Sequence, residues 1–281
     1  MHGFPFALLG FAFGVLLNVL ADYLAARRHY QTAKNSPFST LKPTPPHLRP
    51  RWDDGHTAPL YAWSEVVGAL RGKTPFHPPR HVRRLAVEVG MAALWWGLAV
   101  GYGERPFFPF YLLYSAVFVL CVVSDIEQRW LYDEGLMVGA LAAVIEALFV
   151  QRLPFQEMLG GGILAALVAY AVYLGGILFG VVLGRRGNAV GRTIFGFGDV
   201  KLAAVGGLLL GTNAFGMALL LAGISAGMAA LAVIIRRWLS KRKGRRFSAI
   251  PYAPHLVLGI ALVLYMPDLA LTILWTIVSL V

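Results

Sequence analysis

The composition of this chain predicts an all-α, polytopic helical membrane protein. The sequence is 58% hydrophobic and only 14% charged, whereas soluble proteins carry roughly 25% charged residues. Helices are the expected spanning element, because lipid cannot satisfy free backbone groups. The apolar runs also lack the polar alternation of an outer-membrane barrel. Composition therefore excludes an ordinary soluble domain.

The apolar runs predict about eight transmembrane helices. They cover roughly residues 4–26, 85–101, 107–123, 135–150, 158–183, 199–212, 214–235 and 252–280. The last run is long for one span, and Pro267 predicts a kink or a break within it. The sixth run is short for a hydrocarbon core of about 30 Å. We therefore expect its first residue, Asp199, to lie in a water-filled recess at the membrane surface.

Lysine and arginine residues predict the orientation of these helices. If the N-terminus lies outside, the segments 27–84, 125–134, 184–198 and 236–250 are cytoplasmic, and they hold 22 of the 25 Lys and Arg residues. This distribution follows the positive-inside rule strongly. It predicts a multi-pass protein of the plasma or inner membrane, with Asp125 and Asp199 on the same, cytoplasmic side.

The chain is expected to have two parts. Residues 1–84 form an uncleaved anchor helix and a basic loop rich in Pro and His, and residues 85–281 form a polytopic membrane core. The loop includes a short amphipathic stretch, 60–70, that predicts a surface helix. Its histidines at 47, 56, 77 and 81 could in principle bind zinc, but solvated loop histidines are the favoured interpretation, and no metal site is predicted.

The net charge of +11 is largely explained by topology. The basic residues between 236 and 246 could also bind anionic lipid head groups, so membrane lipid is an expected partner. Nucleic-acid binding would require interleaved aromatic residues or a recognisable module. Neither is present, and no nucleic acid is expected as a partner.

Two aspartates lie at the water edges of apolar helices. Asp125 follows the apolar run 110–123, and Asp199 follows Gly196-Phe197-Gly198. A carboxylate near hydrocarbon is costly and is by default a functional-site candidate. Two carboxylates held close share one proton, so that one can activate water and the other can protonate a peptide group. The alternative is that Asp199 only caps a helix and Asp125 is a solvated loop residue.

Several neighbouring residues are predicted to shape this site or to pack the helices. Gly196 and Gly198 would let a substrate backbone come close to Asp199. Lys201 could bias the ionisation of the aspartates or simply mark the membrane interface. Asn18, Asp22 and Glu88 are expected to form interhelical hydrogen bonds, with a role in shaping the site as the alternative. Glu146 is expected to snorkel or to face the helix bundle. The glycine pairs expected to allow close helix packing are Gly10/Gly14 and Gly223/Gly227.

The aspartates lie in motifs that resemble those of a known family. Residues 196–206, Gly-Phe-Gly-Asp-Val-Lys-Leu-Ala-Ala-Val-Gly, resemble the signature of type IV prepilin peptidases, which are membrane aspartic proteases of the GxGD class. Residues 124–133 resemble the first aspartate motif of that family, with Tyr132 in place of the usual Pro. Residues 250–254, Ile-Pro-Tyr-Ala-Pro, resemble the family's Ile-Pro-Phe-Gly-Pro before the last helix.

The resemblance implies an activity and roles for particular residues. Asp125 and Asp199 would be the catalytic pair, and Asp133 a motif residue with a structural role. The substrate would be a prepilin or pseudopilin, cut at the cytoplasmic face without a metal or a nucleotide. Many members also methylate the new N-terminus with S-adenosylmethionine and carry two CxxC pairs in the first loop. Because the only cysteine here is Cys121, the resemblance supports methylation less than cleavage.

Two other classes of function stay open at this point. A non-catalytic membrane scaffold could use the same fold, but such a protein would be expected to lack one of the aspartates. A proton- or cation-coupled transporter would place paired carboxylates at mid-membrane on broken helices. Both aspartates lie at one interface here, which favours the peptidase.

Overall fold

The structure is a computed structural model that describes residues 3–35, 45–49, 57–72, 80–184, 196–239 and 251–279. The chain divides into two compact units, Met1–Ser124 and Asp125–Val281. This boundary differs from the predicted one after residue 84, which rests on membrane topology and stays a prediction. The predicted histidines at 56 and 77 and most of the basic segment 236–250 lie outside the described residues.

The all-α fold class is confirmed, because the described residues form helices and connecting turns without a β-strand. The first unit contains α1 (Phe4–Lys34), a 3-10 turn (Leu60–Trp63), α2 (Glu65–Leu70), α3 (Arg80–Tyr102) and most of α4 (Phe108–Gln128). The second unit contains the end of α4, then α5 (Asp133–Phe149), α6 (Phe155–Gly184), α7 (Phe197–Leu239), α8 (Ala253–Tyr265) and α9 (Pro267–Ser279).

The predicted number of transmembrane helices is too high. Within the described residues, five helices are long and apolar enough to cross a membrane, or six if the bent pair α8–α9 forms one span. One reason is that α5 has 17 residues, which is at the short end of the range for a spanning helix. Another is that α7 runs through two predicted spans. The predicted break near Pro267 is present, since the chain bends by 116° between α8 and α9.

Helix α7 bends sharply at Gly211. This residue has φ 76° and ψ −178°, a combination that is accessible essentially only to glycine. In a straight helix, residues 206 and 215 would lie about 13.5 Å apart along the axis. Because of the bend, the ring of Phe215 lies 3.7 Å from the position that a Cβ would take on Gly206. The two predicted helices 199–212 and 214–235 are therefore the two arms of α7.

A buried ion pair stabilises the bend. Nε of Arg152 donates to Glu146 at 2.7 Å, and Nη2 donates to the carbonyl oxygen of Leu209 at 2.9 Å. That carbonyl lies two residues before Gly211, where the regular helical hydrogen bonds are interrupted. Glu146 is only 2% exposed, which confirms that it faces the protein interior rather than lipid.

In the first unit, glycines allow α1 and α3 to pack backbone to backbone. A Cβ on Gly10 would lie 2.5 Å from the carbonyl oxygen of Met91, and a Cβ on Gly14 would lie 2.8 Å from Cα of Glu88. The prediction for this glycine pair is confirmed. The prediction for Gly223 and Gly227 is wrong for the part of the chain that the structure describes, because a Cβ on either would meet no atom of it within 4 Å.

The carboxylate of Glu88 fixes the start of α2 against α3. It accepts hydrogen bonds from the Ser64 hydroxyl at 2.8 Å and from the backbone N–H groups of Glu65 and Val66 at 2.9 and 3.1 Å. The side-chain amide of Asn18 on α1 donates to it at 3.3 Å. The first N–H groups of a helix have no partner within the helix. Glu88, which lies more than 20 residues away in the chain, supplies the acceptor for two of them.

Arginine residues complete this polar network at the start of α3. Nη2 of Arg83 and Nη1 of Arg84 donate to the two carboxylate oxygens of Asp22, at 2.5 and 2.6 Å. Arg84 also donates to the carbonyl of Trp63 at 2.6 Å, and His81 hydrogen-bonds Glu65. The predicted interhelical hydrogen bonds of the polar residues of α1 and α3 are therefore present, and they tie the segment 60–70 to both helices.

Glu88→Gln is expected to release this segment. Gln would lose the charge and place an amide N–H₂ among donors, and disrupting a buried charged network costs about 3 kcal/mol or more. We expect a lower midpoint of thermal unfolding and faster trypsin cleavage at Arg71, which is exposed. Glu104→Gln, at an exposed position of the same unit, is the control. Equal proteolysis rates in the two variants would contradict the anchoring role of Glu88.

Candidate active site

Asp125 lies in the last turn of α4, where the helix ends at a left-handed residue. The carbonyl oxygen of Asp125 accepts the N–H of Arg129 at 2.9 Å, and Arg129 has φ 52°. This is the hydrogen bond of an αL helix cap, usually made by glycine. The turn keeps the side chain of Asp125 within the protein, with 8% of its surface exposed.

The carboxylate of Asp125 is held by the start of α8. Its Oδ2 accepts the backbone N–H of Ala253 at 3.1 Å. Ala253 is the first residue of α8 and Pro254 follows it, so this N–H is the first that the helix leaves without an internal partner. The sequence did not predict the contact; its only signal was the resemblance of residues 250–254 to a family motif.

Asp199 lies one turn further into the helix than predicted. Helix α7 begins at Phe197, so Asp199 is its third residue and not its cap. Its Oδ2 accepts the N–H of Gly196 at 3.0 Å, which is the hydrogen bond that the third residue makes in a capping box. The predicted interaction with a backbone N–H at the helix start is present, and Asp199 is also only 8% exposed.

The two glycines before Asp199 differ in how tightly they are packed. A Cβ on Gly198 would lie 3.3 Å from side-chain atoms of Leu131, in the turn that joins α4 to α5. A Cβ on Gly196 would make only an ordinary contact, 3.5 Å from Oδ2 of Asp199. Gly198 thus allows the start of α7 to lie close to the turn after Asp125.

Lys201 pairs with Asp133 rather than with Asp199. Its Nζ lies 2.7 and 2.8 Å from the two carboxylate oxygens of Asp133 and 5.4 Å from the centre of the Phe197 ring. The pair joins the first turn of α5 to the first turn of α7. Because both side chains are substantially exposed, the ion pair itself stabilises the protein little.

Tyr252, the residue before α8, also belongs to this region. Burial raises the pKa of its phenol, and the charge of Asp199 raises the pKa further. The phenol therefore keeps its proton near neutral pH and can donate a hydrogen bond. The sequence identified Tyr252 only as part of a motif and gave it no role.

The second unit thus brings both aspartates to the start of α8. Ala253 binds Asp125, its neighbour Tyr252 lies within electrostatic reach of Asp199, and the charge of Asp125 acts on Asp199. Two carboxyl groups in one buried region can divide the roles of acid and base in a hydrolysis. Within the described part of the chain, no three His, Cys, Asp or Glu side chains are grouped as metal ligands.

Comparison with known proteins finds one matching family. Residues 112–231 match the type IV leader peptidase family, and this segment contains both aspartates. No curated protein and no solved structure matches the chain. The family indicates a protease that acts on a protein substrate, and the long apolar helices indicate a multi-pass membrane protein. Through residues 112–231, the chain is similar to the type IV leader peptidase family.

Proposed function

We propose that this protein is a membrane aspartyl endopeptidase that removes the leader peptide from type IV prepilin or pseudopilin precursors. Asp125 and Asp199 are the catalytic pair in this proposal. The leader is cut at the cytoplasmic face of the plasma or inner membrane, where the distribution of Lys and Arg predicts both aspartates to lie. The apolar helix of the substrate would remain in the bilayer beside the enzyme.

The observation that carries this proposal is the way both carboxylates are held. In each aspartate Oδ2 accepts one backbone N–H, from Ala253 or Gly196. No described residue hydrogen-bonds Oδ1 of either side chain. Each carboxylate is therefore oriented through one oxygen and has the other available for water or for a peptide group.

The reaction needs only these two side chains and water. The ionised carboxyl group takes a proton from water, and the oxygen of that water attacks the carbonyl carbon of the scissile peptide bond. The protonated carboxyl group donates its proton to the carbonyl oxygen, and the amine then leaves with a proton as the C–N bond breaks. Water is split between the two products, so the reaction balances without a cofactor.

The experiment that tests the proposal is cleavage of a prepilin from the same organism by the purified protein in liposomes. The readout is the intact mass of the product, which reports both the cleavage position and any methyl group added with S-adenosylmethionine. We expect loss of a short N-terminal leader. If the folded protein leaves every prepilin and pseudopilin of that organism intact, the proposed substrate class is wrong.

Lys201 and Asp133 are expected to contribute modestly to this activity, by holding the starts of α5 and α7 together. Lys201→Met should lower the cleavage rate roughly two- to fivefold, the range of an exposed ion pair. Exchanging the charges in the double variant Lys201→Asp/Asp133→Lys should recover part of the loss. The control is the pair of single variants Lys201→Asp and Asp133→Lys. If the double variant is slower than the combined effects of these two single variants predict, the ion pair itself has no role.

A further inference from the structure

Helices α7 and α8 pack closely in the second unit, and a polar pair continues this contact at the start of α8. A Cβ on Gly259 would overlap the carbonyl oxygen of Ala218 and lie 3.0 Å from the N atom of Ala222. One turn closer to the start of α8, Nδ1 of His255 lies 3.2 Å from Oγ of Ser225. Neither residue is part of the motifs that identify the family's aspartates.

The hydroxyl of Ser225 has two hydrogen-bond partners. Oγ lies 2.9 Å from the carbonyl oxygen of Ala222 and 3.2 Å from Nδ1 of His255. The tautomer of the imidazole decides which of Oγ and Nδ1 donates in the second contact.

His255 is connected to Asp125 through one turn of helix. The N–H groups of His255 and Leu256 both donate to the carbonyl of Tyr252, at 3.0 and 3.1 Å. These hydrogen bonds close the first turn of α8, which includes Ala253. A shift of His255 relative to α7 would therefore also shift the N–H that holds Oδ2 of Asp125.

We propose that His255 is a positioning residue of the peptidase, and that the hydrogen bond between its Nδ1 and Ser225 fixes the start of α8 so that Ala253 holds Asp125. The inference rests on the proposed function, because it assigns a role through a catalytic Asp125.

Three substitutions of His255 separate the functions of its two ring nitrogens. The side-chain amide of Asn lies where Nδ1 lies, whereas that of Gln reaches the position of Nε2. We expect His255→Phe and His255→Gln to lower kcat about tenfold with little change in KM, because small displacements of catalytic groups are costly. His255→Asn should retain most of the activity, and the pH profile should keep its shape in all three variants.

Ser225→Ala provides the second half of a double-mutant cycle. It should lower kcat as much as His255→Phe does, and the double variant should be no slower than either single variant. If His255→Gln is active and His255→Asn is not, and KM changes, then Nε2 contacts the substrate and the proposal is wrong. Wild-type kinetics in Ser225→Ala would also overturn it.

Amide hydrogen exchange provides a readout that does not require cleavage. In residues 251–255 only Tyr252, Ala253 and His255 have an N–H, because positions 251 and 254 are prolines. Exchange in this segment should be faster in Ser225→Ala than in wild type. Faster exchange without any prepilin cleavage would mean that the proposed function fails while the structural link stands. Unchanged exchange would overturn the link itself.

Discussion

Replacing Asp199 with Asn is expected to stop leader cleavage without unfolding the protein. The side-chain oxygen of Asn can still accept the N–H of Gly196, which Asp199 accepts at 3.0 Å, so the start of α7 should keep its structure. Asn cannot take or give the proton that hydrolysis requires, and such proton transfers contribute roughly 10²- to 10⁴-fold to the rate. Asp125→Asn should have the same effect. The measurement is the initial rate of leader removal in liposomes.

Two controls make this prediction specific. Asp268→Asn changes an exposed carboxyl group at the start of α9, in the same unit, and should leave the rate unchanged. The double variant Asp125→Asn/Asp199→Asn should be no slower than either single variant, because groups that act as a unit are not additive. Either single variant with more than about a tenth of the wild-type rate and an unchanged unfolding midpoint would contradict the assignment of the pair.

The fold class could be predicted because the composition of a helix reflects the solvent around it. In lipid every backbone polar group must be satisfied within the protein, so long apolar runs are expected to form helices. The number of spans depends on backbone geometry that these runs do not contain. Residues 199–212 and 214–235 look like two helices in sequence. In the structure they are two helical arms that follow each other without a loop, because the chain turns within one residue, Gly211, whose conformation almost no other residue can adopt.

The glycine pairs show that sequence spacing alone does not predict which helices pack closely. Gly10/Gly14 and Gly223/Gly227 have the same spacing, yet only the first pair contacts another backbone. Close contact between α7 and α8 instead uses Gly259 of α8 against two alanines of α7. A spacing of four places two small residues on one face of a helix, but it does not show which face meets a neighbour.

Local contacts of the candidate site could be predicted from the sequence, whereas a contact between distant parts of the chain could not. The two aspartates are recognisable from local motifs, and the predicted contact of Asp199 with the helix start spans three residues. The partner of Asp125 is the N–H of Ala253, which is 128 residues away in the chain. Every residue except proline has a backbone N–H, so the identity of residue 253 does not indicate that its N–H binds Asp125.

Gly207→Ala is expected to destabilise the second unit strongly, although it adds only one methyl group. Helices α6 and α7 cross with their backbones in contact at this point. A Cβ on Gly207 would overlap the carbonyl oxygen of Gly161 and lie 2.5 Å from Cβ of Ala165. Backbone atoms cannot move aside as a flexible side chain can, so we expect a cost at or above the upper end of the ~1–3 kcal/mol typical of overpacking.

The consequence should reach the active site, because Gly207 and Asp199 lie on the same arm of α7, about 12 Å apart along the helix. Gly207→Ala should lower the midpoint of thermal unfolding, and the cleavage rate should fall with the folded fraction. Gly223→Ala is the matched control in the other arm, where the added methyl group meets no atom within 4 Å. Since Ala favours a helix by about 1 kcal/mol over Gly, this control should be as stable as wild type or slightly more so. Equal midpoints in the two variants would mean that α6 and α7 do not pack as closely as their backbones indicate.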